Sequence, residues 1–218
     1  FIHGGFPQVV LKTSSGDKLA SLEEVFSSYF NKEIVQLSDF KENSMLRKFI
    51  LLLTERVGQK LDIQKTSSEL GVSRPTLYSF LEYLQGTYLV NLVYPFGKAD
   101  VASRKQPKVY FNDSGLLNYL GKVDKESLFE NAVYCKLKQE YKEIGYYLKE
   151  GREIDFICDG KVAFEVKNYA GVSDVKKLVN LSKKLGIKEN SVFSYKLSDA
   201  GKVVYGFSSG GSGKLDKI

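Results

Sequence analysis

Arg152-Glu153-Ile154-Asp155-Phe156-Ile157-Cys158-Asp159-Gly160-Lys161-Val162-Ala163-Phe164-Glu165-Val166-Lys167 is the stretch from which the rest of the chain is read. Two runs, 154–158 and 162–167, are rich in strand-forming residues and are split by Asp159-Gly160-Lys161, which predicts a hairpin. Burial selects its register. With Cys158 opposite Lys161, Asp155 faces Phe164, and charged and apolar groups share both faces. With Cys158 opposite Val162, the residues Ile154, Phe156 and Cys158 meet Val166, Phe164 and Val162 on one wholly apolar surface. A one-residue slip exchanges the faces, so the second register is expected. It sets Asp155 opposite Glu165, with Lys167 two residues further along the same face.

Two carboxylates placed opposite each other repel unless a cation joins them. Mg²⁺ and Mn²⁺ suit such a pair, being hard ions that bind one or two carboxylates and keep several waters. A lysine beside them can orient or help deprotonate a water, or stabilise charge developing on a phosphoryl group. Asp155, Glu165 and Lys167 are therefore candidate catalytic residues for phosphodiester cleavage, the first two as metal ligands. Lys149 and Arg152 flank the hairpin where a phosphate would pass. A solvated edge hairpin with ordinary surface charges has the same spacing, and these residues alone leave that alternative open.

Downstream, Val175, Leu178, Val179, Ser182 and Leu185 predict a helix, and 191–195 and 203–207 predict two more strands. The result is an α/β (α+β) region, a mixed sheet flanked by helices, spanning 112–208. Residues 209–218 continue a Ser/Gly-rich run and read as a flexible tail.

Upstream, Met45, Leu46, Phe49, Ile50 and Leu53 have helical spacing. Thr66–Leu70 leads through Gly71-Val72-Ser73 into a second helix from Arg74 to Leu84, with Ser73 as its cap and Pro75 in its first turn. That is a helix-turn-helix. Tyr88–Phe96 and Lys108–Phe111 then alternate as a hairpin around a basic loop, so 41–111 reads as a winged helix. Arg74, Lys98, Arg104, Lys105 and Lys108 would meet DNA phosphates on the helix and wing. The same unit also serves elsewhere as a protein-binding module. Residues 1–40, opening on Gly4-Gly5-Phe6-Pro7 with a helix around Leu22 to Phe30, are too short for a domain and read as the end of something larger. The first residue is Phe rather than Met, which also predicts a piece of a longer chain.

The chain has 218 residues, 43% hydrophobic and 27% charged, with 32 Lys and Arg against 26 Asp and Glu. Residues 41–111 hold the densest positive excess, 11 basic to 6 acidic. The longest apolar run, Phe49–Leu53, is far too short to span a bilayer. Cys135 and Cys158 lack zinc-site spacing and read as reduced thiols, and His3 is a single histidine at the chain edge, so nucleophilic triads are set aside. With no export leader, a cytoplasmic location is expected. Gly213-Lys214 is followed by Leu215 and preceded by no matching glycine, so this fragment carries no phosphate loop and no ATP site.

Asp155 followed by Glu165-Val166-Lys167 resembles the PD-(D/E)xK nuclease signature, with Ile154 at the proline position. That resemblance implies a restriction-endonuclease-like fold, a Mg²⁺ or Mn²⁺ cofactor, and a further acidic residue on the preceding helix, here Glu130. More of the chain resembles the C-terminal region of a group of prokaryotic AAA+ family ATPases. The residues are Gly4–Pro7, Lys32–Val35, the winged helix, Val109–Leu117, Phe129–Asn131, Arg152–Phe156 and Glu165–Lys167, in that order. It implies an upstream ATPase domain as partner in the parent chain, with residues 1–40 a remnant of its lid, and it implies no particular substrate or oligomeric state.

Overall fold

The structure, a computed structural model, describes residues 1–30, 32, 40–97, 106–121 and 123–205. These form eight helices and seven strands, an α/β chain with a mixed sheet. Two compact units divide it, 1–93 with 106–135 and 94–105 with 136–218, a division that falls elsewhere than the segment ends at 40 and 111.

The first unit begins with α1 (Pro7–Val10), α2 (Ser15–Tyr29) and α3 (Phe40–Thr54). In α3, Leu46, Phe49, Ile50 and Leu53 are buried, the stripe the spacing predicted. Next, α4 (Ile63–Leu70) is capped by Asp62, whose carboxylate accepts from the Lys65 N–H at 3.0 Å. Gly71, at φ 66°, turns the chain out of it in the left-handed conformation that glycine adopts without strain. Ser73 then caps α5 (Arg74–Gly86), accepting from the Thr76 N–H at 3.2 Å, and Leu77, Phe80, Leu81 and Leu84 face inward. Arg74 and Tyr78 stay exposed.

The hairpin follows as β1 (Val90–Pro95) and β2 (Lys108–Phe111), antiparallel from Val90↔Phe111 to Val93↔Lys108. Lys98, Arg104 and Lys105 lie outside the described residues. Then come α6 (Ser114–Leu120) and α7 (Lys125–Glu140), the latter shared by both units.

Several motifs quoted above turn out to hold this unit together. Asn131 lies fully buried on α7; its side-chain carbonyl accepts from the Phe111 N–H at 2.7 Å and its amide donates to the Phe111 carbonyl at 3.1 Å. It thereby supplies β2 with the two bonds a neighbouring strand would make. Asp113 caps α6 through the Leu116 N–H at 2.8 Å and also accepts from the Gly5 N–H at 2.7 Å. The Ser114 hydroxyl donates to the Phe1 carbonyl at 2.6 Å. Gly115 packs so closely on the His3 backbone that a Cβ there would sit 2.1 Å from its carbonyl carbon.

The second unit is built on β3 (Ile144–Lys149), β4 (Arg152–Cys158), β5 (Val162–Lys167), α8 (Val172–Lys184), β6 (Glu189–Ser194) and β7 (Val203–Tyr205). Strand order through the sheet is β2-β1-β3-β4-β5-β6-β7, with β1 serving β2 through 90–93 and β3 through Tyr94 and Pro95. The β3–β4 and β4–β5 ladders are antiparallel; β5–β6 and β6–β7 are parallel, with α8 as the crossover between β5 and β6. Ile157, Ala163, Ala170, Leu178, Ile187 and Val192 form a core cluster beneath α8. On the opposite face Phe164 meets Tyr141 and Phe193 at ring distances of 6.0 and 5.3 Å.

The expected register of the β4–β5 hairpin is present: Cys158↔Val162, Ile157↔Ala163 and Phe156↔Phe164. One part of the expected face is corrected. Ile154 does not join Phe156; it belongs to the cluster with Ile157 and Ala163. The cause is an irregularity against β3, where Gly145 pairs Ile157 but Tyr147 pairs Ile154. Two steps along β3 thus match three along β4, so β4 carries the extra residue of a bulge next to Asp155.

Candidate active site

The bulge and the turns around it fix the three residues of the hairpin motif. Glu150 (φ 53°) and Gly151 (φ 72°) make the tight β3–β4 connection, with Lys149 paired to Arg152 across it. Asp159 (φ 50°) and Gly160 (φ 65°) turn β4 into β5, closed by the Lys161 N–H donating to the Cys158 carbonyl at 2.9 Å. Asp155 is 7% exposed, and its carboxylate accepts from the Val166 N–H at 2.8 Å. Where the β4–β5 ladder ends at Phe156↔Phe164, this side chain takes over the backbone donor of the opposite strand.

Glu165 and Lys167 share one face of β5, and the ammonium lies 2.7 Å from the Glu165 Oε1. The second carboxylate oxygen, Oε2, is buried with no hydrogen-bond partner. Burial, and then the charge of Asp155, push the Glu165 carboxyl up to about 7 despite the Lys167 ammonium. Burial pulls Lys167 down, but the Glu165 carboxylate, with Asp155 and Asp174 behind it, outweighs this and holds the lysine above its ordinary value. Both shifts report the same thing: an excess of negative charge in a partly desolvated place, which one ammonium does not neutralise.

Above these residues is a cavity of about 600 Å³ lined by Arg152, Glu153, Glu165, Lys167, Asp174 and one face of α8. Arg152, predicted as a phosphate contact, is exposed on its wall; Lys149 is exposed on the paired position of β3.

Two predicted residues are placed otherwise. Glu130 belongs to the first unit, where its Oε1 accepts from the Tyr110 hydroxyl at 2.6 Å and lies 3.8 Å from the Lys108 ammonium. It also borders Gly58, at φ 73°, whose added Cβ would meet it at 2.8 Å. Lys108 is only 3% exposed, so its charge is turned to the interior and paired there, not presented to a phosphate as expected. The alternation of β2 hid this, since all four of its residues are buried. Arg74 stands exposed at the start of α5, as expected. Cys158, pushed up to about 12 by burial first, is an inert thiol. Sequence reasoning missed the cavity face of α8, whose lysines look like any solvated helix charge until the fold sets them beside Glu165.

The residues present fit a divalent site with open coordination positions. Two carboxylates come together, one oxygen is buried without a partner, and the remaining ligands of a Mg²⁺ or Mn²⁺ ion are commonly water. Among the described residues no group of three or more His, Cys, Asp or Glu converges to hold a metal. No described helix is long and apolar enough to cross a membrane.

Residues 1–127 match the family described as Domain of unknown function (DUF8612). That is more than half of the chain, and the chain belongs to this family. An uncharacterized protein of Methanocaldococcus jannaschii is 27% identical over 173 residues, covering 72% of this chain and 38% of the relative. One of Haemophilus influenzae is 26% identical over 183 residues, covering 75% of this chain and 45% of the relative. One of Mycobacterium bovis is 24% identical over 125 residues, 57% of this chain and 28% of the relative. The chain thus spans less than half the length of these curated relatives. No solved structure matches it.

Proposed function

We propose that the chain is the DNA-binding and phosphodiester-cleaving part of a longer protein, with a PD-(D/E)xK-like site in its second unit. The observation that carries this reading is the buried, unpartnered Glu165 Oε2 beside Asp155 and Lys167. Asp155 and Glu165 would hold Mg²⁺ or Mn²⁺, which when bound supplies Lewis-acid stabilisation of phosphoryl charge and a more acidic water. Asp155 is aimed by the Val166 N–H, so its position does not depend on the ion. Lys167, held above its ordinary value, is protonated at neutral pH. Its role is therefore to stabilise negative charge on the phosphoryl oxygens and orient water, not to remove a proton.

In the first unit, the α3–α5 helices and the β1–β2 hairpin support a winged-helix reading. The exposed Arg74 would bind duplex phosphates there, and Lys98, Arg104 and Lys105, which lie outside the described residues, are phosphate contacts expected from the sequence. The ordered motif series supports an AAA+ ATPase domain in the rest of the parent protein, working in the cytoplasm, with ATP bound there and not by this chain.

That no group of three or more His, Cys, Asp or Glu converges as a metal site among the described residues favours a second reading, a nuclease-like fold that binds DNA or protein without cleaving. Nicking of supercoiled plasmid in Mn²⁺ separates the two. The catalytic reading predicts nicking that Glu165→Gln and Lys167→Ala abolish. Nicking that persists in Glu165→Gln contradicts it, and DNA binding without nicking at any Mn²⁺ concentration favours the second.

A further inference from the structure

The α8 wall of the cavity carries a feature that the acidic pair does not explain. Lys177, Asn180, Leu181 and Lys184 all line the cavity, a spacing of three, four and seven residues that marks one helix face. Leu178, which lines the same cavity, and Ser182 are buried against the unit, which fixes the rotation of the helix. Lys176 and Lys183, one residue earlier in each case, are exposed but do not line the cavity. The helix thus sorts its four lysines into two on the cavity and two off it.

Two other charges on the cavity wall are already engaged, while Arg152 stands exposed beside them. Lys167 is paired with Glu165, and the Asp174 carboxylate accepts from the Gly171 N–H at 2.9 Å. Lys177 and Lys184 have no ion-pair partner among the described residues. Seven residues of helix separate them by roughly 10 Å along the axis, a spacing that suits a run of phosphates better than one. Ammonium groups on flexible stems bind phosphates as point charges and impose no sequence preference.

We propose that α8 is the phosphate-gripping wall of this site and that Lys177 and Lys184 hold the backbone of a DNA strand across it. This rests on the phosphodiesterase reading of the acidic pair and adds the substrate contacts. The strand is held by its phosphates along α8, which brings the bond to be cut over Asp155, Glu165 and Lys167 without the acidic pair having to attract it.

Fluorescence anisotropy of a labelled single-stranded DNA oligonucleotide, read as affinity against salt with the full chain, tests this. On single-stranded DNA each lost phosphate contact flattens the salt slope by about 0.7, so Lys177→Ala/Lys184→Ala should flatten it by about 1.4. Lys176→Ala/Lys183→Ala removes the same charge off the cavity and should move the slope far less. All four positions are exposed on a helix where alanine is a strong former, so both variants keep the fold. Equal effects of the two double variants, no effect of either, or no binding by the unaltered chain overturns the proposal. A Mn²⁺ titration by calorimetry is run beside it. If the chain binds no Mn²⁺ but the slope changes as expected, the catalytic reading fails and the α8 grip stands.

Discussion

Asn131 makes two hydrogen bonds to Phe111 from a fully buried position, standing in for a neighbouring strand. Asn131→Ala leaves the buried Phe111 N–H unsatisfied, at about 1–3 kcal/mol, while the Phe111 carbonyl keeps the Cys135 thiol at 3.3 Å as a donor. Chemical denaturation should show a loss of that order, and a loss under 1 kcal/mol would mean that water replaces the amide. Gly115→Ala forces a Cβ into the His3 backbone and should cost about 1–3 kcal/mol by overpacking. At the site itself, Glu165 makes stability depend on pH. Its carboxyl is raised from 4.5 to about 7, by burial first and the Asp155 charge second. The folded chain therefore holds this proton more tightly than the unfolded chain. The resulting stabilisation is fully present below 4.5 and is lost as pH rises through about 7. Glu165→Gln should flatten that decline, read from urea midpoints across the range; parallel declines would contradict the assignment.

At the level of elements, what burial dictates was legible and what neighbours dictate was not. The α5 helix could be read because its cap, its first-turn proline and its apolar stripe agree. The β4–β5 register could be read because a slip would have moved charged groups into the core. Strand β3 escaped notice: Gly145 and the irregular pairing after it break the alternation that marks a strand. The bulge that moves Ile154 is likewise a property of the β3–β4 pairing, and no pattern within β4 encodes it. The acidic pair and Lys167 were legible as a motif, whereas Glu130 and Lys108 read as candidate contacts because their mutual pairing, and the Tyr110 hydroxyl between elements, is tertiary. As a structural partner of Tyr110 and Lys108, Glu130→Gln should lower the denaturation midpoint and leave Mn²⁺ affinity within twofold, about 0.4 kcal/mol. Loss of Mn²⁺ binding in that variant, with the midpoint unchanged, would make it a ligand after all.

For the whole molecule, the ordered motifs that gave the family resemblance prove to serve two ends. Gly4-Gly5, Asp113-Ser114-Gly115 and Asn131 clasp the first unit, and Asp155, Glu165 and Lys167 converge in the second. The proposed nuclease role rests on the second set alone. Its central claim is that the acidic pair is a divalent-cation site, and calorimetric titration of Mn²⁺ into the full chain addresses it most directly. Asp155→Asn is the comparison, since it keeps an acceptor for the Val166 N–H while removing the charge. The account predicts saturable binding by the chain, at least tenfold weaker in Asp155→Asn, about 1.4 kcal/mol. No binding by the unaltered chain, or equal binding by both proteins, would contradict it.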